Sequence, residues 1–261
     1  MAGSSEPAAE TRGLDERTAV VTGGARGMGL AFVRRLRALG ARVVSIDRTH
    51  DPVQPAGGVG EAGVWRIDCD LTVADEVEAV LERVTEAWGP VDVCVCNAGG
   101  GTGEMWENSP TRTGWPAFSS AYQTKMATVV NICGPLAAGM AARGRGKIVT
   151  VSSVAALRPR ADGGYAHYAA AKAAVIAYTR SLAREVAPYG VNANVMVPGA
   201  VGTERVLAKI RAVGMEEALS TIPLGRLCSP EECADVLEFL VTGPSDYLTG
   251  VVLPVDGGMS L

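Results

Sequence analysis

The chain reads as one α/β domain: a Rossmann-like, doubly wound parallel sheet of about seven strands with helices on both faces. Three observations predict this. Short β-branched, apolar runs alternate with amphipathic stretches of helical period along nearly the whole length. Glycine is 32 of 261 residues, above the usual ~7%, and no collagen-like or low-complexity run accounts for it; repeated tight strand-to-helix turns would. No Pro/Ser-rich linker divides the chain.

The elements follow in order. Residues 1–16 are small, polar and charged, with no apolar segment of an export signal, and are expected to form a disordered tail before a domain over 17–261. Residues 18–22 are a β-branched strand, and 27–39 a helix with Met28, Phe32, Leu36 and Leu39 on one side and Arg34, Arg35 and Arg37 on another. Gly40 ends it. Strands are expected at 42–46, 64–67, 91–96, 147–151, 191–197 and 249–255. Between them lie a charged helix at 73–88, a long helical region at 119–142 and an Ala-rich helix through Tyr168. A helical excursion at 203–219 and a helix at 230–240 complete the set. Strands that alternate with helices need parallel, right-handed crossovers, which bury the sheet on both faces.

Composition excludes several partners. The net charge is -4 with acids and bases interspersed, which argues against nucleic acid or an anionic membrane. The longest uncharged run, 126–142, is 17 residues broken by Asn131, Pro135 and two glycines, too short and interrupted for a membrane span. Of six cysteines, Cys94 and Cys96 lie in an apolar strand as small core groups, and no Cys-x-x-Cys pair suggests a metal. A reducing cytoplasm is the expected setting.

The first turn carries nucleotide chemistry. Thr22-Gly23-Gly24-Ala25-Arg26-Gly27-Met28-Gly29 joins a strand to a helix. Glycines there let the backbone approach a pyrophosphate, which faces the positive end of the helix dipole. Asp47 ends the second strand, where a carboxylate accepts both ribose hydroxyls of NAD and repels a 2′-phosphate. Arg48 beside it, and Arg26 in the turn, are the groups that would instead accept that phosphate. The balance favours NAD over NADP.

Tyr168 and Lys172 are four residues apart in a helix without Pro or Gly, so both side chains share one face. A cation beside a phenol favours the phenolate and lowers its pKa toward working pH. Such a phenol can exchange a proton with an alcohol or carbonyl oxygen.

In this order the motifs resemble those of the short-chain dehydrogenase/reductases over about residues 17–258. They are Thr22-Gly-x-x-x-Gly27-x-Gly29, Asn97-Ala98-Gly99, Asn131, Ser152-Ser153, Tyr168-x-x-x-Lys172, Pro198-Gly199 with Thr203, and Asp256-Gly257-Gly258. The resemblance implies that Asn131, Ser153, Tyr168 and Lys172 are catalytic. Ser153 would hold the substrate oxygen, with Ser152 the second choice. Tyr168 would be the acid/base, and Lys172 would bind the nicotinamide ribose and lower the Tyr168 pKa. It further implies a cofactor site of Gly23, Arg26, Gly27, Met28, Gly29, Asp47, Arg48, Asp70, Leu71, Asn97, Ala98, Gly99, Pro198, Gly199, Val201 and Thr203, with Asp70 at the adenine. Family members hold a water on the asparagine carbonyl. Pro135, which lacks an N–H, stands four residues after Asn131 and would leave that carbonyl open.

The expected activity is hydride transfer between NAD(H) and a secondary alcohol or ketone. Alternatives are an NADPH-dependent biosynthetic ketoreductase, a lyase or isomerase using the cofactor without net redox, and a nucleotide-sensing regulator. Loops 100–120, with Trp106, Trp115 and Phe118, and 153–168 are longer than the family pattern, and aromatics there would suit a cyclic or apolar substrate. Met215 and Leu219 lie in an expected lid, and Tyr165 could line the substrate site. His167 is expected to be satisfied or exposed, and His50 solvated. A homotetramer or homodimer through the long helices is the expected assembly.

Overall fold

A computed structural model describes residues 13–50, 63–100, 110–161 and 163–261. Trp106 therefore lies outside the described residues. Seven strands form one parallel sheet: β1 (Thr18–Thr22), β2 (Arg42–Asp47), β3 (Val64–Asp68), β4 (Val91–Cys96), β5 (Gly146–Val151), β6 (Val191–Pro198) and β7 (Val252–Val255). Their order is β3-β2-β1-β4-β5-β6-β7. The chain direction across the sheet reverses between β1 and β4, so a crevice opens at their carboxyl ends, the usual ligand position of such sheets.

The helices are α1 (Gly27–Ala38), α2 (Ala74–Trp88), α3 (Trp115–Tyr122), α4 (Thr128–Arg143), α5 (Ala166–Val186), α6 (Glu204–Val213), α7 (Met215–Ser220) and α8 (Pro230–Val241). Phe32 and Leu36 of α1 and Leu237 and Leu240 of α8 fill the core on one face of the sheet. Val77 and Val84 of α2, Ile132 and Met140 of α4, and Val175 of α5 fill the other. Every residue of β4 is buried, as expected of a central strand covered on both sides.

Two expectations are corrected. The long helical region is not one regular helix. A π-helical turn, Gln123–Ala127, separates α3 from α4, and such widened turns concentrate at functional sites. The ordered chain also begins before residue 17. Leu14 is buried, and its N–H donates to the Leu39 carbonyl, 2.6 Å away. One apolar side chain among polar neighbours is thus recruited into the core beside α1.

Leu14→Ala should lower stability by about 2–3 kcal/mol, read as a lower urea midpoint at unchanged slope. A midpoint equal to wild type would return Leu14 to the solvated tail.

Candidate active site

The glycine-rich turn is built for close approach. Gly23 and Gly27 have φ of +67° and +54°, a region that side chains with a Cβ avoid. A Cβ on Gly29 would collide with the Gly23 carbonyl and come within 2.6 Å of Asn97 Nδ2. The Asn97 amide donates to the Thr22 and Gly23 carbonyls at 3.2 and 3.1 Å. The Thr22 hydroxyl accepts from the Asn97 and Ala98 N–H groups at 3.0 and 3.1 Å. Asn97 and Ala98 thereby brace the turn across the switch point.

The flanks of the crevice come from four loops. Asp47, half-buried at the end of β2, accepts from the Ala25 N–H at 3.2 Å and from the Arg48 N–H at 2.8 Å. Arg26 and Arg48 are exposed beside it. Asp70 accepts from the Thr72 N–H and hydroxyl at 2.9 and 2.7 Å, which hold its carboxyl below the usual range. Leu71 next to it is buried. Met28 of α1 is partly buried. Gly199 follows β6 with no room for a side chain, since its Cβ would lie 2.8 Å from Asp256 Cα. Val201 is buried and bridges to Cys228. The Thr203 methyl carbon lies 3.2 Å from where a Cβ on Gly27 would stand, so the loop after Pro198 closes onto the glycine turn.

The hydroxyl groups sort themselves by geometry. Ser152 is buried, and its hydroxyl donates to the Lys172 carbonyl at 2.8 Å. Ser153 begins the 3-10 turn Val154–Ala156, where its hydroxyl accepts from the Ala155 N–H at 3.3 Å, and it is the serine that bears on the Tyr168 phenol. Tyr165, three residues earlier, adopts a φ of +70° at the start of α5 and sets its ring edge-on to Tyr168 with centroids 5.8 Å apart. An aromatic residue in that backbone region is strained, and its neighbours hold it there.

The electrostatics differ from expectation. Burial pushes the Tyr168 phenol above its ordinary value, against smaller downward pulls from the Ser153 hydroxyl and the Arg205 guanidinium. The Lys172 ammonium is buried and donates to the Val151 carbonyl at 2.8 Å. Burial, then the charge of Lys125, brings Lys172 down to about 8.

Asn131 is not part of this cluster. Its amide donates to the Leu71 carbonyl, 3.0 Å away, on the β3 side of the crevice. Pro135 does lie inside α4, but the polar side chain whose charge bears on Lys172 is Lys125 of the π-helical turn. Sequence reasoning missed Lys125. Its signal was spacing: Ala121, Lys125, Thr128, Val129 and Ile132 form one buried helical face.

Both histidines are corrected. The His50 side chain is buried and bridges Ser45 Oγ, 3.1 Å, and Asp68 Oδ1, 2.6 Å. His167 is buried against the edge of Phe118, with no hydrogen-bond partner for Nδ1 among the described residues. Burial, then Lys125, lowers its pKa. Trp115 and Met215 are exposed. Spacing also missed Cys133, which α4 brings to 3.3 Å from Cys96 in a buried group with Cys94.

Comparison with known proteins agrees with this geometry. Residues 23–260 match the family model described as Enoyl-(Acyl carrier protein) reductase. The chain is 37% identical over 262 residues to the cyclohexanol dehydrogenase of Rhodococcus sp. (strain TK6), covering 95% of this chain and 97% of that one. It is 33% identical over 248 residues to the 3-oxoacyl-(acyl-carrier-protein) reductase FabG of Escherichia coli (strain K12), covering 94% and 98%. Levodione reductase superposes with a TM-score of 0.84 at 28% identity, covering 94% of this chain and 98% of that one. With a glycine-rich turn between β1 and α1, Ser153 beside Tyr168 and these relatives across its length, the chain belongs to the short-chain dehydrogenase/reductases, NAD(P)-dependent oxidoreductases that act on CH–OH groups.

Proposed function

We propose that this protein is an NAD-dependent dehydrogenase/reductase interconverting a secondary alcohol and a ketone, with Tyr168 as acid and base. The observation that carries the reading is the placement of the Ser153 hydroxyl beside the Tyr168 phenol, with Lys172 one helical turn further along α5. The likeness to cyclohexanol dehydrogenase and levodione reductase supports a cyclic substrate.

The crevice fits a nicotinamide dinucleotide. The missing side chain at Gly29 lets the start of α1 pack against the Gly23 carbonyl and Asn97, and a pyrophosphate would lie at that helix N-terminus. Asp47 would hold the adenosine ribose, and Asp70 and Leu71 would border the adenine. Asn97, Ala98, Gly99, Pro198, Gly199, Val201 and Thr203 would flank the nicotinamide, and Lys172 its ribose. When bound, the nicotinamide supplies or accepts the hydride.

The chain's own groups move the proton. In ketone reduction the Tyr168 phenol donates to the carbonyl oxygen as negative charge develops there, and the Ser153 hydroxyl donates a hydrogen bond to the same oxygen. In oxidation the phenolate accepts the alcohol proton. Because burial raises the phenol, the protonated form dominates near neutrality. The second reading, an NADPH-dependent ketoreductase, is favoured by the exposed guanidinium groups of Arg26 and Arg48 beside Asp47 and by the likeness to FabG.

Assembly through α4 and α5 is part of the proposal. Their outer faces form a shallow apolar cleft lined by Ala137, Ala141, Tyr178, Leu182 and Tyr189.

Turnover of cyclohexanol and cyclohexanone with NAD(H), followed by nicotinamide absorbance, tests the reaction. Tyr168→Phe should reduce kcat by about 100-fold or more while NADH binding persists; a near-normal rate would remove Tyr168 from the chemistry. Asp47→Ala should shift the NAD/NADP preference toward NADP by about tenfold or more, because a carboxylate facing a phosphate costs several kcal/mol. An unchanged ratio would refute the ribose assignment. Since the phenol is raised, alcohol oxidation should accelerate with pH above neutrality, because the phenolate fraction grows. Oxidation flat from pH 7 to about 10 would contradict that, given an ordinary phenol pKa of about 10.

A further inference from the structure

Three cysteines meet in the core on the side of the sheet covered by α4. Cys94 and Cys96 are two residues apart on β4, so their side chains leave the same face of the sheet. Cys133 of α4 packs onto that face in the same apolar cluster. Cys96 Sγ lies 3.6 Å from Cys94 Sγ and 3.3 Å from Cys133 Sγ, and all three sulfurs fall within 4.8 Å of one another. Their exposures are 0%, 1% and 0% for Cys94, Cys96 and Cys133. All three are free thiols, and the mechanism above uses none of them.

A single free thiol in a core acts as a small apolar group. Three sulfurs this close are also a ligand set. A central atom bonded to sulfur at about 2.3 Å, with bond angles of about 90–120°, holds its sulfurs about 3.3–4.0 Å apart. The 3.3 and 3.6 Å separations fall within that span.

Charge decides what suits the site. Among the described residues no histidine or carboxylate joins the three thiols. Three thiolates around a divalent ion leave one net negative charge, and around a monovalent ion two. A dry core disfavours such a charge. Trivalent arsenic takes three sulfurs, needs no fourth ligand and gives a neutral product.

We propose that Cys94, Cys96 and Cys133 form a binding site for trivalent arsenic, taken up as arsenite. Arsenite near neutral pH is the small uncharged molecule As(OH)3. Three As–O bonds break and three As–S bonds form. Each thiol proton leaves with one hydroxyl group, so three waters are released. Arsenic stays trivalent and no cysteine is oxidised, so the exchange calls for no oxidant or reductant. The product ties β4 to α4 through the core. The site stands on the three sulfurs and is independent of the function proposed above.

Cys228 and Cys233 are the competing pair, with sulfurs 3.6 Å apart. Two sulfurs leave arsenic one hydroxyl, so their adduct is heavier than the three-sulfur adduct by one water. Intact-mass spectrometry of the full chain separates the two. The protein is kept free of oxygen with a phosphine reductant, and arsenite is added in slight molar excess. One sample stays folded throughout, and a second refolds from urea with arsenite present, which gives the ligand access to buried thiols. The expected product gains one arsenic atom and loses three hydrogens. Cys133→Ala and Cys94→Ala should each abolish that species, and two separate substitutions guard against a variant that fails to fold. Cys228→Ala should leave it at wild-type yield. The proposal is overturned by no adduct in either sample, by the two-sulfur adduct alone, or by a three-sulfur adduct that survives both Cys133→Ala and Cys94→Ala. Capture of cadmium by a chain that takes no arsenite would overturn it too, in favour of a metal-ion site.

Discussion

Lys172 is tied to the end of β5 through its side chain and its carbonyl, and the proposed catalytic geometry depends on that attachment. Its side-chain ammonium donates to the Val151 carbonyl, and its own carbonyl accepts from the Ser152 hydroxyl. A helix anchored in this way cannot rotate about its axis without leaving a buried charge and the buried Ser152 hydroxyl unsatisfied. Tyr168, one turn earlier, is thereby presented to Ser153 at the end of the same strand. The adjacent serines divide the work: Ser152 fixes the helix, and Ser153 lies beside Tyr168.

The nucleotide side is organised by a comparable economy. Asn97 donates hydrogen bonds to Thr22 and Gly23 across the point where strand order reverses, and these brace the glycine turn. Thr203, from the far end of the sheet, reaches the same turn at Gly27. Adjacent strand ends thus converge on one crevice because the sheet is wound outward in both directions from β1 and β4.

Much of this was legible in the chain itself. Period and turn chemistry placed all seven strands, because buried parallel strands are continuous apolar runs and their turns need glycine. Motif order located the crevice and singled out Ser153, Tyr168 and Lys172. What was missed depends on contacts between distant segments. His50 looked solvated because Asp68, which buries it, is brought near only by the pairing of β2 with β3. Asn131 was singled out by motif and by Pro135, which lies inside α4 and offers no N–H to the Asn131 carbonyl, while its side-chain amide is engaged by Leu71. Lys125 was overlooked because a lysine on a helix is ordinarily solvated, and only the apolar spacing around it hinted at burial. The Tyr168 pKa was expected to fall because a neighbouring cation was weighed without the cost of burying a phenolate.

The account comes down to where the cofactor lies relative to Lys172 and Tyr168. A crystal structure with NADH bound tests this most directly. The adenosine ribose hydroxyls should rest on Asp47, the pyrophosphate on the turn at Gly27 and Gly29, and the nicotinamide ribose within hydrogen-bond distance of Lys172 Nζ. A nicotinamide remote from Tyr168, or a Lys172 still bonded only to Val151, would contradict it.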